Sequence, residues 1–224
     1  MKLEKITKTR RSYEDACGTA HALDLIGERW ALLVMRELML GPRRFSDLRE
    51  SLPGVSANVL TQRLEGLEQA GVVRRRKLPP PAPAQIYELT EWGLDAEPVI
   101  LALGRWGARS PLQDPDLPLS AVGMALSFRA MFLPERAIGT QLTLGLETPR
   151  DRFTLQVSNG RIAIERGGSG AADAVIGGEP GEIAGFVYGL AAGDPLGEGR
   201  VTISGDRTAV DRFRGMVSLP PLAC

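Results

Sequence analysis

Apolar residues in the first hundred positions recur at helical spacing, and glycine and proline interrupt them at intervals. This periodicity predicts amphipathic helices, and the breakers mark their ends. Pro98 lies inside the last predicted helix, where it predicts a kink or a restart, with Leu94, Leu101 and Leu103 available to bury. The predicted helices cover residues 18–26, 29–40, 45–52, 57–70 and 90–106.

The pair of helices around Pro53-Gly54 has a distinctive pattern. Ser56 is a good N-cap for the second helix, whose leucines at 60, 64 and 67 form one inward stripe. At 100° per residue, the opposite face carries polar residues. These are Asn58, Gln62, Glu65 and Gln69.

Two extended segments follow, at residues 72–78 and 85–89, and they enclose a stiff tip with Pro79, Pro80, Pro81 and Pro83. The first segment contains Arg74, Arg75, Arg76 and Lys77. A short helix, a turn, a longer helix and a basic hairpin make up the outline of a winged helix-turn-helix, which places one helix in the DNA major groove.

The sequence changes character after a linker rich in proline and aspartate. The pattern predicts a helix at 119–131, strands at 140–147, 152–157, 161–165 and 174–176, a helix at 182–190, a strand at 201–204 and a final helix. Asn159-Gly160 predicts a tight hairpin. We therefore expect an α+β fold. It comprises a winged helix-turn-helix domain at 1–109, a linker at 110–118, and at 119–224 an α+β domain with an antiparallel sheet covered by helices.

The charged residues are unevenly distributed along the chain, which a net charge of zero conceals. The chain has 27 Lys+Arg and 27 Asp+Glu, but residues 1–77 hold 15 against 10, so the remainder holds 12 against 17. A basic half and an acidic half fit a nucleic-acid-binding module joined to a second domain. No apolar run predicts a membrane span or a signal peptide, so we expect a cytoplasmic protein that does not bind a membrane.

The candidate DNA contacts follow from side-chain chemistry. Amides such as Asn58 and Gln62 can pair with the adenine edge, and Thr61 could reach a base or a phosphate. Consecutive cations neutralise phosphates and do not distinguish sequences. The expected DNA-binding set is Arg43, Arg44, Ser56, Asn58, Thr61, Gln62, Arg63, Arg74, Arg75, Arg76 and Lys77.

Residues 14–107 resemble the HxlR family of bacterial winged-helix regulators. The motifs are Cys17 to Trp30, Arg36-Glu37-Leu38, Gly41 to Phe45, Leu52 to Ser56, Leu60 to Leu64 and Tyr87 to Gly93. The resemblance implies a homodimer, built from the N-terminal helices and the helix after the wing. Such a dimer would bind a double-stranded operator with two-fold symmetry.

Gly18 departs from the family, which usually has proline after the N-terminal cysteine. Some members of the family use that cysteine to sense oxidants or electrophiles. Cys17 near a helix N-terminus is therefore a candidate redox residue. The alternative is a small residue buried in the dimer interface.

Residues 119–218 resemble a sterol-carrier-protein-like domain, most clearly from Val201 to Phe213. Such domains pack helices on one face of a sheet and can enclose an apolar tunnel. Methionine and aromatic side chains are suited to lining it, although ordinary core packing is the stronger explanation for any one of them. The candidate ligand-binding residues are Met124, Phe128, Met131, Phe132, Phe186, Tyr188, Phe213 and Met216.

Catalytic motifs are not apparent. His21 is the only histidine, no Cys/His cluster has zinc spacing, and Gly167 to Gly170 lacks the lysine of a phosphate loop. We expect neither cofactor nor metal. The sequence predicts a transcriptional regulator, more often a repressor than an activator, with a small apolar molecule in the second domain controlling it. The alternatives are a thiol sensor acting through Cys17, or a lipid carrier or enzyme tethered to a DNA-binding module.

Overall fold

The computed structural model describes residues 12–79, 84–168 and 170–223. Most of the predicted N-terminal arm, Pro80, Pro81 and Pro83 of the wing tip, and Cys224 lie outside the described residues.

The first half contains the predicted helices in the predicted order. They are α1 (Gly18–Ile26), α2 (Ala31–Leu38), α3 (Phe45–Ser51), α4 (Ala57–Gln69), α5 (Glu91–Leu94) and α6 (Glu97–Gly107). Three short strands accompany them, β1 (Arg43–Arg44), β2 (Val73–Lys77) and β3 (Gln85–Leu89).

Helix α4 begins where its capping residue predicts. Ser56 Oγ accepts a hydrogen bond from the Val59 amide at 3.3 Å, which satisfies one of the orphan donors of the first turn. Its three stripe leucines are at most 2% exposed, so this face forms the core of the domain. The opposite face is therefore free for a partner.

The wing is an antiparallel hairpin of β2 and β3, and β1 pairs with the other edge of β3. Helix α5 starts immediately after β3. Its Gly93 approaches the wing so closely that a Cβ there would lie 2.2 Å from the Val72 carbonyl oxygen. Only glycine fits at this contact, which seats the base of the wing against the helices.

The predicted interruption at Pro98 is confirmed. Helix α5 ends at Leu94, and α6 starts at Glu97 with the proline in its first turn, where the missing N–H costs nothing. The burial expected for this region is incomplete within one chain, because Leu101 packs partly against the core whereas Leu94 and Leu103 are each 46% exposed.

The second half comprises a helix, three strands, a further strand, a helix, a last strand and a last helix. The elements are α7 (Ala121–Ala130), β4 (Gln141–Glu147), β5 (Arg152–Ser158), β6 (Arg161–Arg166), β7 (Ala174–Gly178), α8 (Pro180–Tyr188), β8 (Val201–Gly205) and α9 (Arg207–Arg214). The predicted hairpin is present, with Asn159 and Gly160 both at positive φ.

The prediction of an antiparallel sheet is wrong at one pairing. The strand order is β6-β5-β4-β7-β8, and β7 runs parallel to β4, with Leu144 opposite Ala174. The chain leaves β6 at one edge and passes β5 and β4 before it forms β7 on the far side. Strands β6 and β7 therefore run in the same direction, and the sheet is mixed. Local sequence patterns do not encode which strands become neighbours.

One face of this sheet is buried. Along β5 the side chains of Phe153, Leu155 and Val157 point into the core, while Arg152, Gln156 and Ser158 are exposed. Helices α7, α8 and α9 contact this sheet. The regular alternation is that of a sheet with helices on one side and solvent on the other.

The two halves share one continuous apolar core, in which α7 packs against α2 and α6. Glu37 of α2 is fully buried at this junction. Its Oε1 accepts hydrogen bonds from Arg36 and from Ser120 Oγ, the latter at 2.7 Å. Because Ser120 also caps α7 through the Gly123 amide, the start of the second half is held on the first. No helix within the described ranges has the length and apolar character needed to cross a bilayer.

Candidate nucleic-acid interface

The polar face of α4 is presented to solvent. Asn58, Thr61 and Gln62 are all exposed, as are Glu65 and Gln69 further along the helix. Asn58 and Gln62 stand one turn apart, about 6 Å along the axis. Their amides can each donate and accept, which suits the edge of a base pair in the major groove.

Two of the predicted contacts on this helix have partners within the chain. The hydroxyl oxygen of Ser56 caps α4, as described above, although the hydroxyl can still donate. Arg63 forms an ion pair with Glu28 at 3.1 Å, and its side chain is 21% exposed. Arg63 thus joins α4 to the segment that follows α1, and it lies at the border of the polar face.

The cations of the wing divide between the two sides of β2. Arg74 and Arg76 point to one side and share Glu88 of β3, at 2.7 and 3.2 Å. Arg75 points to the other side, where it lies 3.6 Å from Glu68 of α4. Lys77 is exposed and has no ion-pair partner in the described part of the chain.

The carboxylate of Glu88, which Arg74 and Arg76 share, has a shifted pKa. Burial alone would raise the pKa of Glu88, but hydrogen bonds from Arg74 and Arg76 outweigh it and hold the pKa below its ordinary value. Glu88 is therefore ionised at neutral pH and orients the two guanidinium groups. The side chains of Arg74 and Arg76 are each more than half exposed, so their remaining N–H donors can still reach a phosphate.

Arg43 is not available as expected. It forms a 2.8 Å ion pair with Asp151 of the second half, and only 11% of its side chain is exposed. Sequence reasoning missed this contact because 108 residues separate the partners. Arg44, the next residue, is exposed.

Arg49 of α3 was missed by the sequence reasoning. It is exposed, and within the described residues it has no ion-pair partner. The available signal was its position in a short helix whose inward residues are Leu48 and Leu52. A cation between those two buried leucines points outward into solvent.

The eight ligand candidates of the second half lie in its core. Seven are at most 6% exposed, and Phe128 packs edge-on against Phe213 and Tyr188 with ring centroids 5.6 Å apart. The Tyr188 hydroxyl lies 3.0 Å from Ser127 Oγ, and burial raises the pKa of that phenol. These side chains fill the space beneath the helices.

Cys17 stands at the N-cap of α1 and is exposed. The backbone amides of Ala20 and Thr19, at the N-terminus of α1, lower the pKa of its thiol. The structure therefore places a solvent-accessible thiol, with a larger thiolate fraction than usual, at the start of the first helix. Its predicted burial in a dimer interface would require a second chain.

Helix α4 has an exposed face of amide side chains and a buried stripe of leucines, and a basic hairpin lies beside it. This arrangement is that of a winged helix-turn-helix DNA-binding protein. Residues 25–114 match the HxlR-like helix-turn-helix family. An uncharacterized HTH-type transcriptional regulator of Synechocystis, sll1512, is 39% identical over 92 residues, which are 41% of this chain and 68% of that protein. The HTH-type transcriptional regulator YodB of Bacillus subtilis is 39% identical over 38% of this chain and 76% of its own length.

The chain belongs to the HxlR-like helix-turn-helix family and is a transcriptional regulator of that family, which is non-enzymatic. Among solved structures, the reduced form of YodB is 34% identical and covers 45% of this chain and all of that one, with a TM-score of 0.40. The similarity to both relatives, sll1512 and YodB, is confined to less than half of this chain.

Proposed function

We propose that the protein binds a two-fold symmetric operator as a homodimer and thereby controls transcription from a promoter. In each subunit α4 enters the major groove, where Asn58, Thr61 and Gln62 face the bases. The wing cations and Arg44 contact the phosphates. The observation that carries this proposal is the fully polar, exposed face of α4, which has a cationic hairpin next to it.

An uncovered apolar surface supports the homodimer. Helices α1 and α6 bury none of their residues in the single chain. Along α6, Val99, Leu103 and Trp106 are 58%, 46% and 72% exposed at a spacing that aligns them on one side. Such a stripe is typical of a helix that packs against another helix, and a second copy of the chain would cover it.

The test compares a base contact with a phosphate contact. We expect Gln62→Ala to relax preference at one operator position, at a cost of about 1–3 kcal/mol, with the salt dependence unchanged. Arg75→Ala should weaken binding to all sequences alike and reduce the slope of log K against log salt by about 0.9 per lost contact. Fluorescence anisotropy with promoter fragments and scrambled duplexes measures both. Identical behaviour of the two variants would refute the assignment of α4 as the base-contacting helix.

Repression is the outcome we propose, because it is the more frequent result when a regulator occupies a promoter. A reporter fused to the target promoter should be expressed more strongly when α4 carries Gln62→Ala. Lower expression would indicate an activator instead. A cytoplasmic location follows from this role and remains a prediction.

Control by a small apolar ligand also remains a prediction. The one-sided helical cover of the sheet is the arrangement expected for a sterol-carrier-protein-like domain, and this supports the proposal. Because the candidate side chains pack tightly, an apolar ligand would have to displace α7 or α9 from the sheet. Titration with a fatty acid of about ten carbons, followed by tryptophan emission and promoter binding, tests this. Unchanged DNA affinity at saturating fatty acid would contradict it.

Thiol sensing through Cys17 is the second candidate function, favoured by the exposure of the thiol and its lowered pKa. An oxidant should release the wild-type protein from DNA and leave the Cys17→Ser variant bound. Equal release of both proteins would eliminate this candidate.

A further inference from the structure

One carboxylate of the second half, Asp151, makes the most buried ion pair between the halves, with Arg43, and a further pair with Arg166 of its own half. Asp151 lies in the turn between β4 and β5, and only 9% of its side chain is exposed. One of its oxygens accepts a hydrogen bond from Arg43 Nη2, and the other accepts from Arg166 Nη1. Arg43 thus has its charge neutralised by a residue outside the DNA-binding module.

The turn that carries Asp151 is held in shape by its own hydrogen bonds. The Thr148 amide donates to the Asp151 carbonyl at 2.9 Å, and the Asp151 amide donates to Thr148 Oγ1 at 3.0 Å. Arg166 packs over the Phe153 ring at 5.1 Å and donates from Nε to the Leu40 carbonyl. The second half therefore presents a preorganised surface that fits the segment immediately before α3.

The contact of Arg43 and Arg166 with Asp151 leaves some buried N–H donors without an acceptor. Two guanidinium groups share the Asp151 carboxylate, so neither has that carboxylate to itself, and Glu37 is a further negative charge that acts on Arg166. Arg43 Nε and Arg166 Nη2 are buried, and neither has an acceptor among the described residues. Burial, and then repulsion from Arg43, lower the pKa of Arg166, while Asp151 opposes the shift. Half-satisfied buried charges stabilise a contact less than a matched pair would.

We propose that the β4–β5 turn is an intramolecular docking surface for the helix-turn-helix, on which Asp151 competes with a DNA phosphate for Arg43. A guanidinium takes a carboxylate or a phosphate through the same paired donors, and Arg43 is too buried against Asp151 to serve both. The docked second half then lowers the affinity of the module for any DNA. This inference rests on the proposed DNA binding.

The experiment removes the competitor while preserving the shape of its side chain. Asp151→Asn should raise the affinity for a nonspecific duplex about fivefold or more, the lower end of typical couplings between sites. It should also steepen the slope of log K against log salt by about 0.9 for each Arg43 engaged. Glu147→Gln is the matched control, because it removes the same charge from the same end of β4 without touching the module. Thermal unfolding confirms that each variant is folded.

A cycle of variants separates competition from general electrostatics. In an Arg43→Gln background, Asp151→Asn should have no more effect than Glu147→Gln. Should Asp151→Asn misfold, Arg166→Gln tests the same competition for Arg43, because it should lower the DNA affinity instead of raising it. It leaves Asp151 to Arg43 alone, so DNA affinity should fall further than in Arg152→Gln, an exposed arginine next to Asp151.

The outcomes are distinct. If the wild type binds DNA and Asp151→Asn matches Glu147→Gln, the docking inference is overturned and the proposed function stands. The inference is equally overturned if the gain persists without Arg43. If neither wild type nor Asp151→Asn binds any duplex at low salt, the proposed function itself fails.

Discussion

Leu103→Glu in α6 should dissociate the proposed homodimer. The substitution places a carboxylate in the middle of the apolar stripe between Val99 and Trp106. In the single chain this position is 46% exposed and makes no essential core contact, so the folded subunit should tolerate the change.

The expected magnitude follows from the area that a partner would cover. Full burial of a leucine side chain contributes about 2 kcal/mol, and the 46% left exposed by the single chain corresponds to about 1 kcal/mol per copy. A two-fold interface contains the position twice, so its loss costs about 2 kcal/mol per dimer. That weakens dimerisation about 30-fold. Burying two unpaired carboxylates adds to this cost.

Sedimentation equilibrium at micromolar concentrations measures the dimer dissociation constant. Leu112→Glu is the matched control, since Leu112 is 91% exposed and lies beyond the end of α6. Circular dichroism should show the same secondary structure for both variants, which confirms that each subunit is folded. If Leu103→Glu dimerises as tightly as Leu112→Glu, the α6 stripe is not the interface and the reasoning from exposed area is refuted.

Three further predictions concern stability and reactivity. Gly93→Ala forces a Cβ to within 2.2 Å of the Val72 carbonyl oxygen, so the free energy of unfolding should fall by about 1–3 kcal/mol. The control Gly104→Ala should cause no fall, because nothing lies within 4 Å of the added Cβ and alanine is the better helix former. Ser56→Ala removes the cap of α4 and should cost about 1 kcal/mol in urea unfolding; an unchanged midpoint would show that the cap contributes nothing. The lowered pKa of Cys17 means that the thiolate forms at lower pH, so alkylation by iodoacetamide should rise with pH with a midpoint below the ordinary pKa of 9.0. A midpoint at or above 9.0 would contradict that shift.

The DNA-binding module was predictable almost to the residue, because its signals are local. Caps, leucine spacing and breakers placed α3, α4 and the strands of the wing within a few residues of their observed ends. Exposure of Asn58 and Gln62 followed from the same periodicity, since one buried stripe leaves the opposite face in solvent. The exposed apolar stripe of α6 was only partly predictable, because apolar spacing alone does not show whether a face is buried within the chain or left exposed.

Partners distant in the chain were not predictable. Local pattern indicated a free cation at Arg43, and the fold places it on Asp151, a residue that carried no signal. The same limit explains the parallel pairing of β4 and β7 and the closed packing of the aromatic side chains beneath the helices. Secondary structure and its exposed faces were set by short-range periodicity in the chain. Strand neighbours and ion-pair partners were set by packing of the whole molecule, because both depend on which distant segments meet in space.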